Sequence, residues 1–305
     1  MNANAPTPPL SVLTPVYNNG PFMRRAIDSI LDQTFADFEY ILVNDGSTDD
    51  SQAILEEYAE KDSRIRVVCQ ENRGYIRALN AGMDMAHGEF IARMDADDIA
   101  MPDRFEKQWA YLRDHPECVA VGGRVLLIDE EGLPLREMCQ ELTHDAIDAA
   151  HLAGKGGTIV HPAMMARRNA VIAAGGYRED FPWAEDLDLF LRLAEVGRVA
   201  NLPDLVLHYR QHLSSIGYSK AALQRQSTID CIRDAHLRRG LTVPSDLQST
   251  DSTAPTVAES YRKWAWWALS SGYVHSARKH ALRALRTEPM SIQSWRVVFC
   301  ALRGY

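Results

Sequence analysis

The chain has 305 residues, 46% hydrophobic and 24% charged, which suits a globular protein with room for one large domain or two smaller ones. A formal net charge of −8 argues against a general nucleic-acid binder. The cysteines (Cys69, Cys118, Cys139, Cys231 and Cys300) form no Cys-x-x-Cys pair, so reduced thiols are expected rather than a disulfide frame or a zinc site.

Met1 to Pro9 is polar and proline-rich, without the basic flank and apolar stretch of a signal peptide, and is expected to be disordered. No apolar run is long enough to span a bilayer. The best candidate, Val119 to Ile128, is short and is broken by Gly122, Gly123 and Arg124. A cytoplasmic protein is expected.

Leu10 to Thr14 reads as a strand stopped by Pro15, and Asn18-Asn19-Gly20-Pro21 turns the chain into a helix. The apolar positions of that helix are Phe22, Ala26, Ile27, Ile30 and Leu31. Tyr40 to Val43 is the next strand, followed by Asn44-Asp45-Gly46-Ser47 and a helix with Ile54, Leu55 and Tyr58 on one face. Ile65 to Val68 is a third strand, and Asn72-Arg73-Gly74 leads into a helix through Ile76, Leu79, Ala81 and Met83. Gly88 then opens a fourth strand, Phe90 to Ala92, which runs straight into Asp95, Asp97 and Asp98. Such alternation predicts βαβ units and a parallel sheet, with ligands beyond the carboxyl ends of the strands.

The pattern loosens after Pro102. A helix over Asp103 to Asp114 precedes a hairpin turning at Glu130-Glu131-Gly132. A helix over His144 to Leu152 and a strand over Ile159 to Met165 follow. Glu185-Asp186 leads into a helix through Leu187, Leu189, Phe190 and Leu193, and Val199 to Tyr209 returns as strands. Lys220 to Arg239 is an amphipathic helix, and Ser245 to Thr256 reads as a linker. Val257 to Tyr305 is helical and basic: eight Lys and Arg against two acids give +6, leaving −14 on the rest of the −8 chain.

Three acidic sites carry possible chemistry. Close carboxylates raise one another's pKa, so the Asp95/Asp97/Asp98 cluster calls for a cation, and oxygen ligands suit Mg²⁺ or Mn²⁺. The plainer alternative is a solvated acidic loop in which Asp97 or Asp98 starts the next helix. Asp45, at a strand end, could accept hydrogen bonds from a base or ribose, or simply bond its own turn. Glu185 and Asp186 are either first-turn acids facing the helix dipole or include a general base.

Taken together, these blocks resemble the family 2 glycosyltransferases with the GT-A fold. The likeness rests on Leu13 to Asn18, Val43 to Ser51 and Asn72-Arg73-Gly74 with Ala78, Asn80 and Gly82. Arg93-Met94-Asp95-Ala96-Asp97-Asp98 matches the family's DxD element. His161-Pro162, Gly175-Gly176-Tyr177, Glu185 to Arg192 and Tyr209 to His212 continue the series in order, so the resemblance covers about Leu10 to Ser215.

The resemblance implies an α/β, GT-A-type sheet of βαβ units with a mixed acceptor half. It divides the chain into a nucleotide-sugar-binding half (10–101), an acceptor-binding and catalytic-base half (102–218) and a helical C-terminal region (219–305). Thr14, Pro15, Tyr17, Asn18 and Asp45 would hold the base and ribose. Asp97 would be the direct ligand of Mn²⁺ or Mg²⁺, with Asp95 nearer the ribose and His212 as a further metal or diphosphate contact beside Arg210. Asp186 would be the catalytic base, with Glu185 next to it, and inversion at the anomeric carbon is implied. Arg93 would sit near the diphosphate or pair with the aspartates after it. One departure concerns the donor cation: many relatives carry arginine where this chain has Leu79, so Arg73 or Arg77 takes that role.

The expected reaction is transfer from a nucleoside-diphosphate sugar, taken as a UDP-sugar, to a saccharide or lipid-linked acceptor in surface polysaccharide synthesis. A sugar-phosphate nucleotidyltransferase would instead want a glycine-rich phosphate loop where Pro15 to Asn18 stand. A non-catalytic sugar-nucleotide-binding or scaffold protein would not need Asp97 and Asp186. In the tail, Ala265, Ala268, Leu269, Gly272, Tyr273 and Ala277 resemble one tetratricopeptide-like hairpin. Trp264, Trp266 and Trp267 beside Arg262 and Lys263 form either a packed cap or a peripheral contact with an anionic membrane.

Overall fold

The computed structural model describes residues 7–215, 221–245, 247 and 255–304. The start expected to be disordered therefore lies mostly outside the described residues, as does most of the linker near 245–256.

Apolar runs buried on both faces make parallel strands, and the first half of the chain is built from them. β1 (Leu10–Val16) and β2 (Phe38–Asp45) are buried along their whole lengths. β1 pairs in parallel with β2 and with β4 (Phe90–Arg93), and β3 (Ile65–Gln70) lies outside β2. Three helices link these strands: α1 (Gly20–Leu31), α2 (Ser51–Lys61) and α3 (Tyr75–Met85). Alternation along β1 and β2 splits their side chains between two cores. Val12, Tyr40 and Leu42 pack with Ile27 and Phe105, whereas Leu13, Ile41 and Val43 pack with Leu79 and Leu189.

Pro15 does not stop β1. The β4 pairing ends at Leu13↔Arg93, but the β2 pairing continues to Val16↔Asn44, so Pro15 lies where the strand has a partner on one side only. In α1 the buried positions are Met23, Ala26, Ile27 and Ile30, and Phe22 is left out of the core.

The second half extends the same sheet. β5 (Ile99–Ala100) leads into α4 (Arg104–Asp114), then β6 (Cys118–Ile128) and β7 (Pro134–Met138) form the expected hairpin. Next come α5 (His144–Leu152), β8 (Met165–Arg167), α6 (Arg168–Ala173), α7 (Glu185–Val196) and β9 (Arg198–Arg210). The nine strands run β3-β2-β1-β4-β8-β6-β9-β5, with β7 on β6. The sheet crosses residue 101 unbroken, because β4 pairs with β8, and β5 adds to its edge by pairing with β9. The strand expected over Ile159 to Met165 is instead a 3₁₀ turn at His161–Ala163 followed by the short β8. Pro162 has no N–H to give a ladder, and a buried apolar run cannot by itself distinguish a strand from a packed turn.

α8 (Ala221–Arg238) sets Cys231, Ile232 and Ala235 against Leu187 and Leu191 of α7. The tail is three helices rather than one hairpin: α9 (Val257–Ser270), α10 (Val274–Thr287) and α11 (Ile292–Arg303). A capping box between Thr256 and Glu259 starts α9. Trp264 is fully buried in a core that includes Leu127 of β6 and Leu135 of β7, so it is interior and not part of a membrane-facing trio. Trp267 lies under the Arg136 guanidinium, 4.2 Å from the ring centre, and only Trp266 of the three is exposed. No helix among the described residues is long and apolar enough to cross a membrane.

Candidate active site

Beyond the carboxyl ends of β1, β2 and β4 lies a cleft of about 1190 Å³, lined also by α7, α8 and Lys263 of α9. Pro15, Tyr17 and Asn18 line it from the β1 turn. Asn18 takes a left-handed backbone (φ +54°), a conformation asparagine tolerates. Its Oδ1 accepts from the Thr48 N–H at 2.8 Å, and its own N–H donates to Ser47 Oγ at 3.1 Å, so the turns after β1 and β2 are tied together. Thr14 does not reach the cleft. It is buried, with its hydroxyl 3.2 Å from the Tyr40 hydroxyl.

Asp45 also lines the cleft, but its carboxylate is already engaged with the loop before α3. It accepts from Gln70 Nε2 at 2.7 Å and from the Arg73 and Gly74 N–H groups at 2.9 Å each. The Arg73 and Arg77 side chains are exposed and do not line the cleft; Arg77 is held by Glu179 at 3.0 Å.

The acidic loop after β4 is the densest charge in the cleft. Asp95, Asp97 and Asp98 each offer an oxygen within 4.8 Å of the others. Their environments differ sharply. Asp95 is held by the buried Arg93 at 2.5 Å, and Arg93 faces the Tyr75 ring at 5.5 Å. Asp97 Oδ2 is 2.9 Å from His212 Nε2. Asp98 is fully buried, with Oδ1 accepting from the Arg210 N–H at 2.8 Å and Oδ2 lacking a partner. Burial raises Asp98 well above the usual carboxylate range, helped by the charges of Asp97 and Asp95, and burial raises Asp95 despite Arg93. An all-oxygen set, a nearby imidazole and an unsatisfied carboxylate oxygen suit a hard divalent cation.

Arg210 binds the loop from below. Its Nε donates to the Asp97 carbonyl at 2.7 Å, and Nη1 donates to the Asp129 and Glu130 carbonyls at 3.1 and 2.9 Å. Phe22 completes this corner: the His212 ring stacks on it at 5.4 Å, and the Arg210 guanidinium lies 4.9 Å from its centre. Sequence reasoning had put Phe22 in the core. The signal that excludes it is the series Met23, Ala26, Ile27 and Ile30, which fills the inward face without it.

Opposite the acidic loop stands the first turn of α7. Trp183, a non-glycine residue at φ +69°, makes the bend before it, a strained conformation of the kind found at functional sites. Asp186 opens on the cleft, with Oδ1 accepting from the Leu187 N–H at 2.8 Å, and burial raises its pKa. Glu185 is buried, its Oε2 has no partner, and burial beside Asp186 pushes it up to about 8. Sequence reasoning missed His151 and Lys263, which also line the cleft. Lys263 comes from the tail, so no local motif could have brought it there.

A parallel nucleotide-type half ending in carboxylates, joined antiparallel to a half with an acidic helix start, defines a GT-A transferase. Two solved structures share this fold. The mannosyltransferase PcManGT from Pyrobaculum calidifontis, in complex with GDP-Man and Mn²⁺, aligns with a TM-score of 0.58 at 19% identity, over 98% of this chain and 81% of that one. TarS 1–349 of S. aureus, in complex with UDP-GlcNAc, aligns at 0.58 with 16% identity, over 97% and 89%. The family model described as glycosyl transferase family 2 matches residues 11–174, and the chain belongs to that family. Among its relatives, the amylovoran biosynthesis glycosyltransferase AmsE of Erwinia amylovora is 35% identical over 204 residues, 66% of this chain and 75% of that protein. The O-antigen biosynthesis glycosyltransferase WbnJ of Escherichia coli is 32% identical over 217 residues, 70% and 84%. The protein is a glycosyltransferase.

Proposed function

We propose that this glycosyltransferase moves a sugar from a nucleoside-diphosphate donor to a saccharide or lipid-linked acceptor, with inversion, in the synthesis of a surface polysaccharide. One observation carries the reading: Asp186 and the acidic loop open on a single cleft from opposite elements. The names of AmsE and WbnJ support the polysaccharide setting. The PcManGT complex with GDP-Man and the TarS complex with UDP-GlcNAc support a nucleoside-diphosphate sugar as the donor class. Five free cysteines support a cytoplasmic location.

Asp97 and Asp95, with His212 beside them, would hold Mn²⁺ or Mg²⁺. That cation would neutralise the donor diphosphate and the charge left on it as the sugar departs. Pro15, Tyr17 and Asn18 would flank the nucleoside, and Asp45 would meet it with the acceptor capacity its loop leaves over. Arg210 and Arg93 fix the acidic loop from behind. Asp186 takes the proton of the acceptor hydroxyl as its oxygen bonds to the anomeric carbon and the bond to the diphosphate breaks. A raised pKa makes it a stronger base than a free aspartate. Glu185, raised to about 8 by burial beside Asp186, sits next to this base in the same turn.

Paired substitutions test the scheme. Asp186→Asn lowers transfer about 10²- to 10⁴-fold and leaves calorimetric binding of UDP with Mn²⁺ unchanged. Asp97→Ala weakens that Mn²⁺-dependent binding. Transfer retained in the first variant refutes the base assignment, and an unchanged titration in the second refutes the metal role.

A further inference from the structure

The last helix is apolar on two sides. Ser294, Val297, Val298 and Ala301 of α11 are buried against the other tail helices. Ile292, Trp295, Phe299 and Leu302 form a second stripe at i, i+3, i+7 and i+10, within one face about 80° wide. They are 57% to 85% exposed, and Met290, in the turn before the helix, is 91% exposed. Leu282 of α10 is exposed too. A single protruding leucine needs no explanation, but an aligned stripe with a Trp and a Phe does.

Charge decides among occupants. At 100° per residue Arg296 and Arg303 fall beside the stripe, and the Arg303 guanidinium lies 4.6 Å from the centre of the Phe299 ring. Arg286 of α10 is exposed as well. The two acids of the tail are occupied elsewhere: Glu259 closes the capping box of α9, and Glu288 pairs with Arg262 at 2.7 Å. Helix α11 itself carries no acid. Two copies meeting through this face would bring arginine against arginine, whereas an anionic lipid surface answers both the charge and the apolar stripe.

We propose that the outer face of α11, continued by Leu282 and Arg286 of α10, docks on an anionic bilayer surface. The apolar stripe enters the headgroup boundary and the arginines meet lipid phosphates. Surface contact, not insertion of the helix across the bilayer, is the mode.

Co-sedimentation of the full chain with vesicles tests this without donor or acceptor, so its result is separate from that of the catalytic scheme. The wild type pellets with phosphatidylcholine–phosphatidylglycerol vesicles at low salt, is released as salt rises, and stays in solution with pure phosphatidylcholine. Ile292→Ser/Phe299→Ser and Arg286→Gln/Arg296→Gln each weaken vesicle binding roughly tenfold or more. Because the substituted side chains are exposed, the melting temperature stays near wild type. A wild type that remains in the supernatant with anionic vesicles at low salt overturns the proposal, as does undiminished binding by the serine variant. A wild-type dimer in light scattering that the serine variant dissolves, with no vesicle binding, also overturns it and assigns the face to a second copy.

Discussion

Glu185 and Asp186 share the first turn of α7 but not their surroundings, and that difference has a measurable sign. Glu185 is raised to about 8 from 4.5 by burial and by the charge of Asp186. Between those values the folded protein keeps a proton that the unfolded chain has released, so stability falls as pH rises through the window and levels above it. Glu185→Gln removes this dependence. The melting temperature of the wild type relative to the variant therefore drops between pH 5 and pH 8, and parallel curves would show that Glu185 is ionised in the fold. The shifts of Asp95 and Asp98 are common to both proteins, whereas Asp186, whose charge bears on Glu185, is followed separately by repeating the comparison in an Asp186→Asn background. At this scale the acids are marked in the sequence because Asp45, Asp95 and Asp97 stand where apolar runs end and Asp186 where one begins, and all four line one cleft. Sequence reasoning misjudged Thr14 and Phe22, whose neighbours Pro15 and Met23 take the opposite positions. A one-residue error reverses the face in a strand and turns a helix side chain from core to cleft.

Among the elements, α3 packs tightly on the sheet through a glycine. A Cβ added to Gly82 would come 1.9 Å from Leu13 Cδ1 and 3.2 Å from Val43 Cγ2. Gly82→Val forces that contact apart and costs about 1–3 kcal/mol, read as a lower midpoint in urea. An unchanged midpoint would mean that the helix shifts freely on β1 and β2. Parallel strands and their helices were legible because each apolar run was short and ended in turn residues. The 3₁₀ turn at His161–Ala163 was not, since its burial comes from packing on the core and beside the cleft and not from a ladder. Nor was the third tail helix, whose inward face is set by long-range packing on α9 and α10.

For the molecule as a whole, the acidic body and basic tail meet across a built interface. Asp129, at the turn between β6 and β7, is fully buried and accepts from His280 Nε2 at 2.9 Å and from Lys279 Nζ at 2.5 Å. Against its burial, His280 and Lys279 hold the Asp129 carboxyl well below the usual range. Replacing His280 by Ala leaves a buried carboxylate short of one hydrogen bond and costs about 1.5–3 kcal/mol in chemical denaturation. An unchanged midpoint would mean that Lys279 and the turn's own N–H groups suffice. The charge split was visible in the sequence, but its partners lie 150 and 151 residues apart and could not be paired from it.

The Asp129 carbonyl also receives Arg210, which holds the Asp97 carbonyl. The ladder from tail to acidic loop therefore passes through one turn that belongs by sequence to neither. For anyone recombining such enzymes, the unit of exchange is not the segment after residue 256. Helices α9 to α11 would have to travel with the β6–β7 turn, or the recipient would bury an acid without its basic partners, or basic side chains without their acid.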